Sequence, residues 1–388
     1  MAPLDPFFHL PASNDWNACI GRQGDEENYA DGYIEAAIEL AMALIEKAMY
    51  EKRDTLVLPI LYNARHAIEL TLKLIIGQLV EGGILQAGHP KNHDISSHFD
   101  FLEGHAIPDE LFRDRLLALS PYVVSLSQID GDGQELRFHQ NRAGQRSMEG
   151  KALANIVVIS ESLSSLQRIL QDLKHRSYSL RDEWRTSTRT SHCSRRDLVA
   201  IAEMLPERKE WASRELDECK KVIKTRFGLG SRQLSAALNK IQATRGLSYL
   251  IGIESDLVHL SDQKAKFLLS EWDKLHPPRE SGNDRGMDYF LDRDWTKIND
   301  RLTLESEVRA NIIRGLGEDE LADAETIYYL ARDGVFPELY EDSLIRKKAE
   351  FRARNDLQQE VYDLMSKTNF RRHFIEGLRI LGRLRLSD

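Results

Sequence analysis

The sequence predicts a mainly α protein, an antiparallel helical bundle followed by a second all-α domain. Three observations lead there. Apolar residues recur at three- and four-residue spacing through most of the chain, which is the helical period. Gly and Pro number only 23 and 11, so long segments run without a helix breaker. The 388 residues also exceed what a single hydrophobic core usually serves.

Residues 1–25 are Pro-rich and irregular, with Phe7, Phe8 and Trp16 expected to tack the segment onto the body. The bundle is expected over 26–180. From Asp31, "DGYIEAAIELAMALIEKAMYEKRD" places Ile34, Ile38, Ala41, Leu44 and Ile45 on one helical face. A second, longer helix is expected from Leu56 to Val80, with Leu61, Ile68, Leu72, Ile75 and Leu79 as its stripe. Pro59 falls in its first turn, where a missing N–H costs nothing, and Glu81–Gly83 supplies the stop. A polar loop, "QAGHPKNHDISSH", precedes a third helix near Asp109–Leu119. The turn-rich "SQIDGDGQELRFHQNRAGQ" precedes a fourth at about Lys151–His175, with Leu153, Ile156, Ile159, Leu163, Leu166 and Leu170 inward.

Residues 181–196, rich in Ser, Thr and Arg, are expected to be a linker with the domain boundary near 185. The second domain, 197–388, is again helical, over Asp197–Met204, Glu207–Phe227, Ser231–Thr244, Ser261–Leu275, Leu304–Gly315, Glu318–Asp333 and Leu344–Thr368. No fixed period marks a solenoid.

Composition restricts the function classes. Lys and Arg total 53 against 62 Asp and Glu, a net charge of −9 and a pI near 5.8. That disfavours a broadly basic nucleic-acid coat and leaves a local cleft for a small anion or short RNA. Cys19, Cys193 and Cys219 are few and widely spaced, which fits reduced thiols. The first residues lack a signal-peptide pattern and no apolar run reaches membrane-spanning length. The expected setting is cytoplasmic, with no membrane partner.

The chemistry-bearing stretch is "YNARHAIELTLKLII", Tyr62–Ile76. On a helix, Arg65 and Lys73 are i,i+4 neighbours of Glu69 and His66 is its i,i+3 neighbour. The four make either an ion-pair ladder at the edge of the core or a polar stripe facing a groove. Charge on a buried face requires such pairing.

Read with two further motifs, residues of about 30–175 resemble the HEPN family. "RHAIELTLKLII" supplies Glu69 and Lys73, "NHDI" supplies His93 and Asp94, and "LRFHQNRAGQ" supplies an Arg-aromatic element before the last long helix. The resemblance implies a four-helix bundle, commonly a homo-oligomer, in which an Arg and a His cleave RNA without metal. Arg137 matches the family's arginine. The histidine departs from the pattern, because His139 follows at two residues and not at four to six. The catalytic pair implied is Arg137 and His139, with Arg65, His66, Glu69, Lys73, His93 and Asp94 as support. An arginine can hold a phosphate, a histidine can move a proton near neutral pH, and RNA brings its own 2′-OH. The function implied is action on or near RNA or nucleotides, as a metal-independent endoribonuclease in stress or phage defence. The alternative is a non-catalytic scaffold recruiting a protein partner through 197–388. No cofactor or metal is expected.

Other motifs have plainer readings. Asp94 can cap the next helix while His93 satisfies a loop carbonyl. His89, His93, His98 and His105 fit no zinc spacing. "DGDG" at Asp130–Gly133 is a turn, since the twelfth position of a calcium loop would be Asn141. Arg185 and His192 match a loose Arg-x6-His string in the linker. "GLGSRQLSAALNKIQATRGLSYL", Gly228–Leu250, has the pattern of a helix-turn-helix, Ser231 capping its helix, Arg245–Gly246 ending it, and Arg232, Lys240 and Arg245 suited to phosphate. Tyr328, Tyr329, Phe336 and Tyr340 read as aromatic packing. The C-terminal "NFRRHFIEGLRILGRLRLSD" is a basic amphipathic helix facing RNA, an acidic partner or its own acidic neighbours.

Overall fold

The computed structural model describes residues 5, 7–10, 15–21, 24–140, 144–148, 153–277 and 295–383. These are mainly helical, with fifteen α-helices and no strand among them. Two compact units result, Met1–Arg185 and Thr186–Asp388. No helix among the described residues is long and apolar enough to cross a membrane. Asn141, and residues 384–388 of the C-terminal stretch quoted above, lie outside the described residues.

The first unit holds α1 (Glu26–Glu46), α2 (Arg53–Glu81), α3 (Ile95–Gly104), α4 (Glu110–Ser127) and α5 (Ile156–Trp184). These are five helices where four were expected, because Asp94 starts α3 inside the presumed polar loop. Its carboxylate accepts from the Ser96 and Ser97 N–H groups at 2.9 and 3.3 Å. Asp25 likewise starts α1 before Asp31, accepting from Asn28 N–H, and Asn155 starts α5, accepting from Val157 N–H. A carboxylate or amide at this position satisfies otherwise unpaired helix donors, for about 1 kcal/mol each. Asp109 caps α4, which runs on past Leu119 to Ser127.

Several expected placements are corrected. Pro59 is not in a first turn but inside α2, which begins at Arg53, so it cannot donate to the carbonyl four residues back. Leu153 precedes the Asn155 cap and is 98% exposed, while Leu163, Leu166 and Leu170 are buried. Ile45 is exposed at the edge of the α1 stripe. Phe7, Phe8 and Trp16 are exposed and tack nothing down. The core forms around α2, which packs against α1, α3, α4 and α5. Ile60, Ala64, Ala67, Ile68, Leu72, Ile75 and Leu79 are buried, and so are Arg65 and Glu69. A helix buried on most sides is the one that must pair any charge it carries.

The second unit holds α6 (Arg195–Met204), α7 (Arg214–Phe227), α8 (Ser231–Ala243), the single turn α9 (Arg245–Ser248), α10 (Asp262–Leu275), α11 (Trp295–Gly315), α12 (Glu318–Arg332), α13 (Tyr340–Arg354), α14 (Leu357–Met365) and α15 (Phe370–Ile380). Its apolar residues fall into two clusters, one across α6–α9 and one across α10–α15. The presumed linker is largely structured. Helix α5 continues to Trp184, Thr190 N–H donates to Cys193 C=O, and Cys193 is buried in the α6–α9 cluster. Ser194 and Asp197 form a reciprocal capping box that starts α6.

The expected Glu207–Phe227 helix is broken, a 3-10 turn at Arg208–Glu210 preceding α7. The expected Leu344–Thr368 helix is also two. Asn355 takes the left-handed conformation at φ 47°, and Asp356 caps α14 through the Gln359 N–H. Arg245–Gly246 does not end α8 but opens α9. Tyr328 and Tyr340 are buried. In the basic C-terminal helix Arg371 pairs with Asp273 and Arg379 with Glu376, and beyond it Arg383 pairs with Asp256 and Asp262.

Candidate functional site

The first unit gathers its polar chemistry on α2 and two loops. Arg65 is 1% exposed and uses its whole guanidinium fork. Nε–H donates to the Asp130 carbonyl at 2.8 Å, and one Nη1–H to Glu69 Oε2 at 2.7 Å. The Nη2 group donates to the Gly131 carbonyl at 3.0 Å and to the His93 carbonyl. A planar five-donor group suits such a junction and a lysine does not. Arg65 therefore clasps the loop before α3 and the loop after α4 onto α2.

The "DGDG" turn is built for this grip. Asp130, fully buried, accepts the Glu135 and Leu136 N–H groups at 3.1 and 3.3 Å. Gly133 has φ 78°, and a Cβ there would lie 3.2 Å from Arg65 Nη1 and 3.3 Å from its Cζ. Only a glycine meets both demands.

Glu69 is 2% exposed and surrounded by donors. Lys73 Nζ lies 2.6 Å and His93 Nδ1 2.8 Å from Oε1, with Arg65 on Oε2. His66 Nδ1 lies 3.8 Å from Oε2. Burial pushes the Glu69 carboxyl up, but its bonds to His66, Lys73, Arg65 and His93 together outweigh that and hold it well below the usual carboxylate range. An ionised carboxylate only accepts, so the hydrogen between it and His93 belongs to Nδ1. That leaves Nε2 of a neutral His93 as the acceptor, and the side chain is 67% exposed. A carboxylate that fixes an imidazole's tautomer and leaves its outer nitrogen free to take a proton is a general-base arrangement.

Around this dyad lies a row of rings and cations. His66 meets Tyr33 edge-on, centroids 4.5 Å apart, and stacks on Tyr62 at 5.6 Å. The Arg137 guanidinium sits 5.5 Å from the Tyr62 ring centroid and 5.4 Å from that of Phe138. Its Nε–H donates to the Gly133 carbonyl at 2.6 Å, which ties it to the loop that Arg65 holds. Arg137 and Phe138 are exposed, so this cation and ring face solvent, while Tyr33, Tyr62 and His66 are half-buried.

The ladder of Arg65, His66, Glu69 and Lys73 thus assembles around Glu69, and His93 joins it from the α3 loop. The His93 ring goes to Glu69 and not to a loop carbonyl, while its own carbonyl serves Arg65. Asp94 caps α3, and its carbonyl is held by His98, whose imidazole is pushed down by burial. Arg137 adjoins the cluster through Tyr62. His139 is exposed, and no hydrogen bond, ion pair or ring contact among the described residues joins its side chain to the Glu69 cluster. Asp130–Gly133 form the expected turn, but the sequence assigned neither that turn nor Tyr62 a part in the site. The signal was the Asp-Gly alternation close before Arg137, which demands a partner for a tight turn. No protein-family model matches this chain, and neither the curated proteins nor the solved structures offer a match.

Proposed function

We propose that the first unit binds single-stranded RNA on the His93–Tyr62–Arg137 face and cleaves it without metal. The observation that carries this reading is the His93–Glu69 bond of 2.8 Å beside an exposed, ring-stacked Arg137. His93 Nε2 takes the proton of a 2′-OH, whose oxygen attacks the adjacent phosphorus. Arg137 and Lys73 place positive charge where the phosphorane oxygens develop it. Tyr62 and Phe138 offer π-faces for bases next to that charge. His139, near Arg137 in sequence, is assigned the leaving 5′-oxygen, to which it gives a proton. The HEPN resemblance supports the reading, and its homo-oligomer would bring a second copy of this face alongside.

The test is incubation of the full chain with a single-stranded RNA in EDTA. Cleavage is expected, with loss of at least 10²-fold in rate for Arg137→Ala. Undiminished cleavage by that variant would exclude the site.

A second reading is a non-catalytic scaffold with the partner taken through 197–388. It is favoured by the saturation of Arg65, whose donors all go to loop carbonyls and to Glu69 and leave none for a phosphate. It expects intact RNA, and a co-purifying protein that is lost when the second unit is removed.

A further inference from the structure

We infer that α6–α8 of the second unit form a helix-turn-helix that binds duplex DNA, with α8 lying in the major groove. The site is separate from the Glu69 centre and does not depend on the reading given for it.

The turn comes first. Helix α7 ends at Phe227 and α8 begins at Ser231, leaving Gly228, Leu229 and Gly230 between them. Gly228 is left-handed at φ 65°, and Leu229 turns inward and is buried. A three-residue turn with a left-handed glycine is what joins the two helices of this motif. Leu234, Ala237, Leu238 and Ile241 of α8 pack in one cluster with Leu198 and Ile201 of α6 and Ile223 of α7, so α8 is held by a three-helix core. The turn is braced from outside. Gln233 Oε1 accepts the Gly230 N–H at 2.6 Å, and its Nε2 lies 2.6 Å from His192 Nε2. Lys224 reaches across the turn to Ser231 Oγ at 3.0 Å.

The outward face of α8 comes second. Ser231, Arg232, Ser235, Ala236 and Asn239 are exposed. Small residues at the centre of that face let the helix approach base edges, while an arginine and an asparagine are the side chains that pair guanine and adenine bidentately. Motifs of this kind read bases with the N-terminal part of the second helix, where Ser231, Arg232 and Ser235 sit, with Asn239 one turn beyond Ser235 on the same face.

Charge comes third. The chain as a whole is at −9, yet the segment from Lys220 to Ile253 contains seven Lys and Arg residues and no Asp or Glu. No ion pair among the described residues engages Arg232 or Lys240. The three acids of α7, Glu215, Asp217 and Glu218, lie at its far end from the turn, where Asp217 pairs with Lys220 and Glu218 with Lys221. A cationic strip on an acidic protein concentrates polyanion contact at one place.

The test uses the full chain and a fluorescent 24-base-pair duplex of mixed sequence, followed by anisotropy at about 50 and about 200 mM salt. Saturable binding is expected at the lower salt, weakened about 10²-fold at the higher, as four neutralised phosphates require. The Lys224→Glu, Arg232→Glu, Lys240→Glu triple variant should lose at least 10-fold in affinity at the lower salt, with its thermal melt lowered only by the small amount that loss of the Lys224–Ser231 bond accounts for. Arg346→Glu, exposed on α13, should bind as the wild type does. If the triple variant fails to fold, Arg232→Ala with Lys240→Ala gives the same readout at a smaller loss. Absence of duplex binding at the lower salt overturns the inference, and so does binding indifferent to these substitutions. A single-stranded RNA 24-mer that competes equally and depends on the same three residues overturns the duplex assignment.

Discussion

The Arg65 guanidinium and the Glu69 carboxylate meet at 2.7 Å one helical turn apart, both all but excluded from solvent. Two opposite charges in that position are costly to bury and far more costly to separate. Everything at the candidate site leans on this pair. Arg65 fixes the two loops, and Glu69 fixes His93 and Lys73.

Removing the arginine should therefore act on stability as well as on chemistry. Arg65→Met strands Glu69 and frees the carbonyls of His93, Asp130 and Gly131. The expected loss is about 3–5 kcal/mol, or a melting transition lowered by roughly 6–20 °C for a unit of this size. Arg65→Lys should recover little, because an ammonium cannot reproduce the fork. Scanning calorimetry of the three proteins checks this.

Gly133 offers a finer probe of the same clasp. Gly133→Ala meets a left-handed backbone and the Arg65 guanidinium together, whereas Gly83→Ala meets φ 70° with nothing within 4 Å. Left-handed strain costs about 1–2 kcal/mol at either position. Gly133→Ala should be the more destabilising in urea, and the excess should vanish in an Arg65→Met background.

Acid should loosen the site in a defined direction. The Glu69 carboxyl is held below its ordinary 4.5, so below about pH 5 the unfolded chain binds a proton that the native one refuses. The stabilisation is complete above the ordinary value and is lost as pH falls toward the depressed one. Glu69→Gln should be less stable than wild type near pH 7, with a flatter stability profile between about pH 5 and pH 3. Urea midpoints across that range give the comparison.

The break between α13 and α14 makes a prediction of opposite sign to the continuous helix that the apolar spacing suggests. At a left-handed residue Asn355→Gly should be neutral or stabilising, and Asn355→Val should cost about 1–2 kcal/mol. In a continuous helix the glycine would cost about 1 kcal/mol instead. Thermal melts of both variants decide between the two.

The periodic stripes of α1, α2 and α5 were legible because long amphipathic helices carry their period in plain view. What was hidden came from single capping residues. Asp94 turns a polar loop into α3, and Asn355 with Asp356 splits one stripe into two helices whose apolar spacing runs through the break. The ladder on α2 was legible as i,i+4 arithmetic, but its depth was not, since burial of Arg65 depends on loops 28 and 65 residues away in sequence. The place of His93 was misread for the same reason. A histidine before a cap can serve a nearby carbonyl or a distant carboxylate, and only the packing of α3 on α2 brings Glu69 within reach.

In the proposed reaction His93, oriented by Glu69, takes a proton from RNA. The most direct measurement is cleavage in EDTA of an oligodeoxynucleotide carrying one ribonucleotide, by wild type and by His93→Ala, with the product ends weighed by mass spectrometry. A cut at the ribonucleotide leaving a 2′,3′-cyclic phosphate is expected, and at least a 10²-fold slower cut by the variant, which should still melt cooperatively well above the assay temperature although Glu69 loses one of its four partners. Cleavage at deoxynucleotide positions, or a His93→Ala protein as fast as wild type, would contradict it.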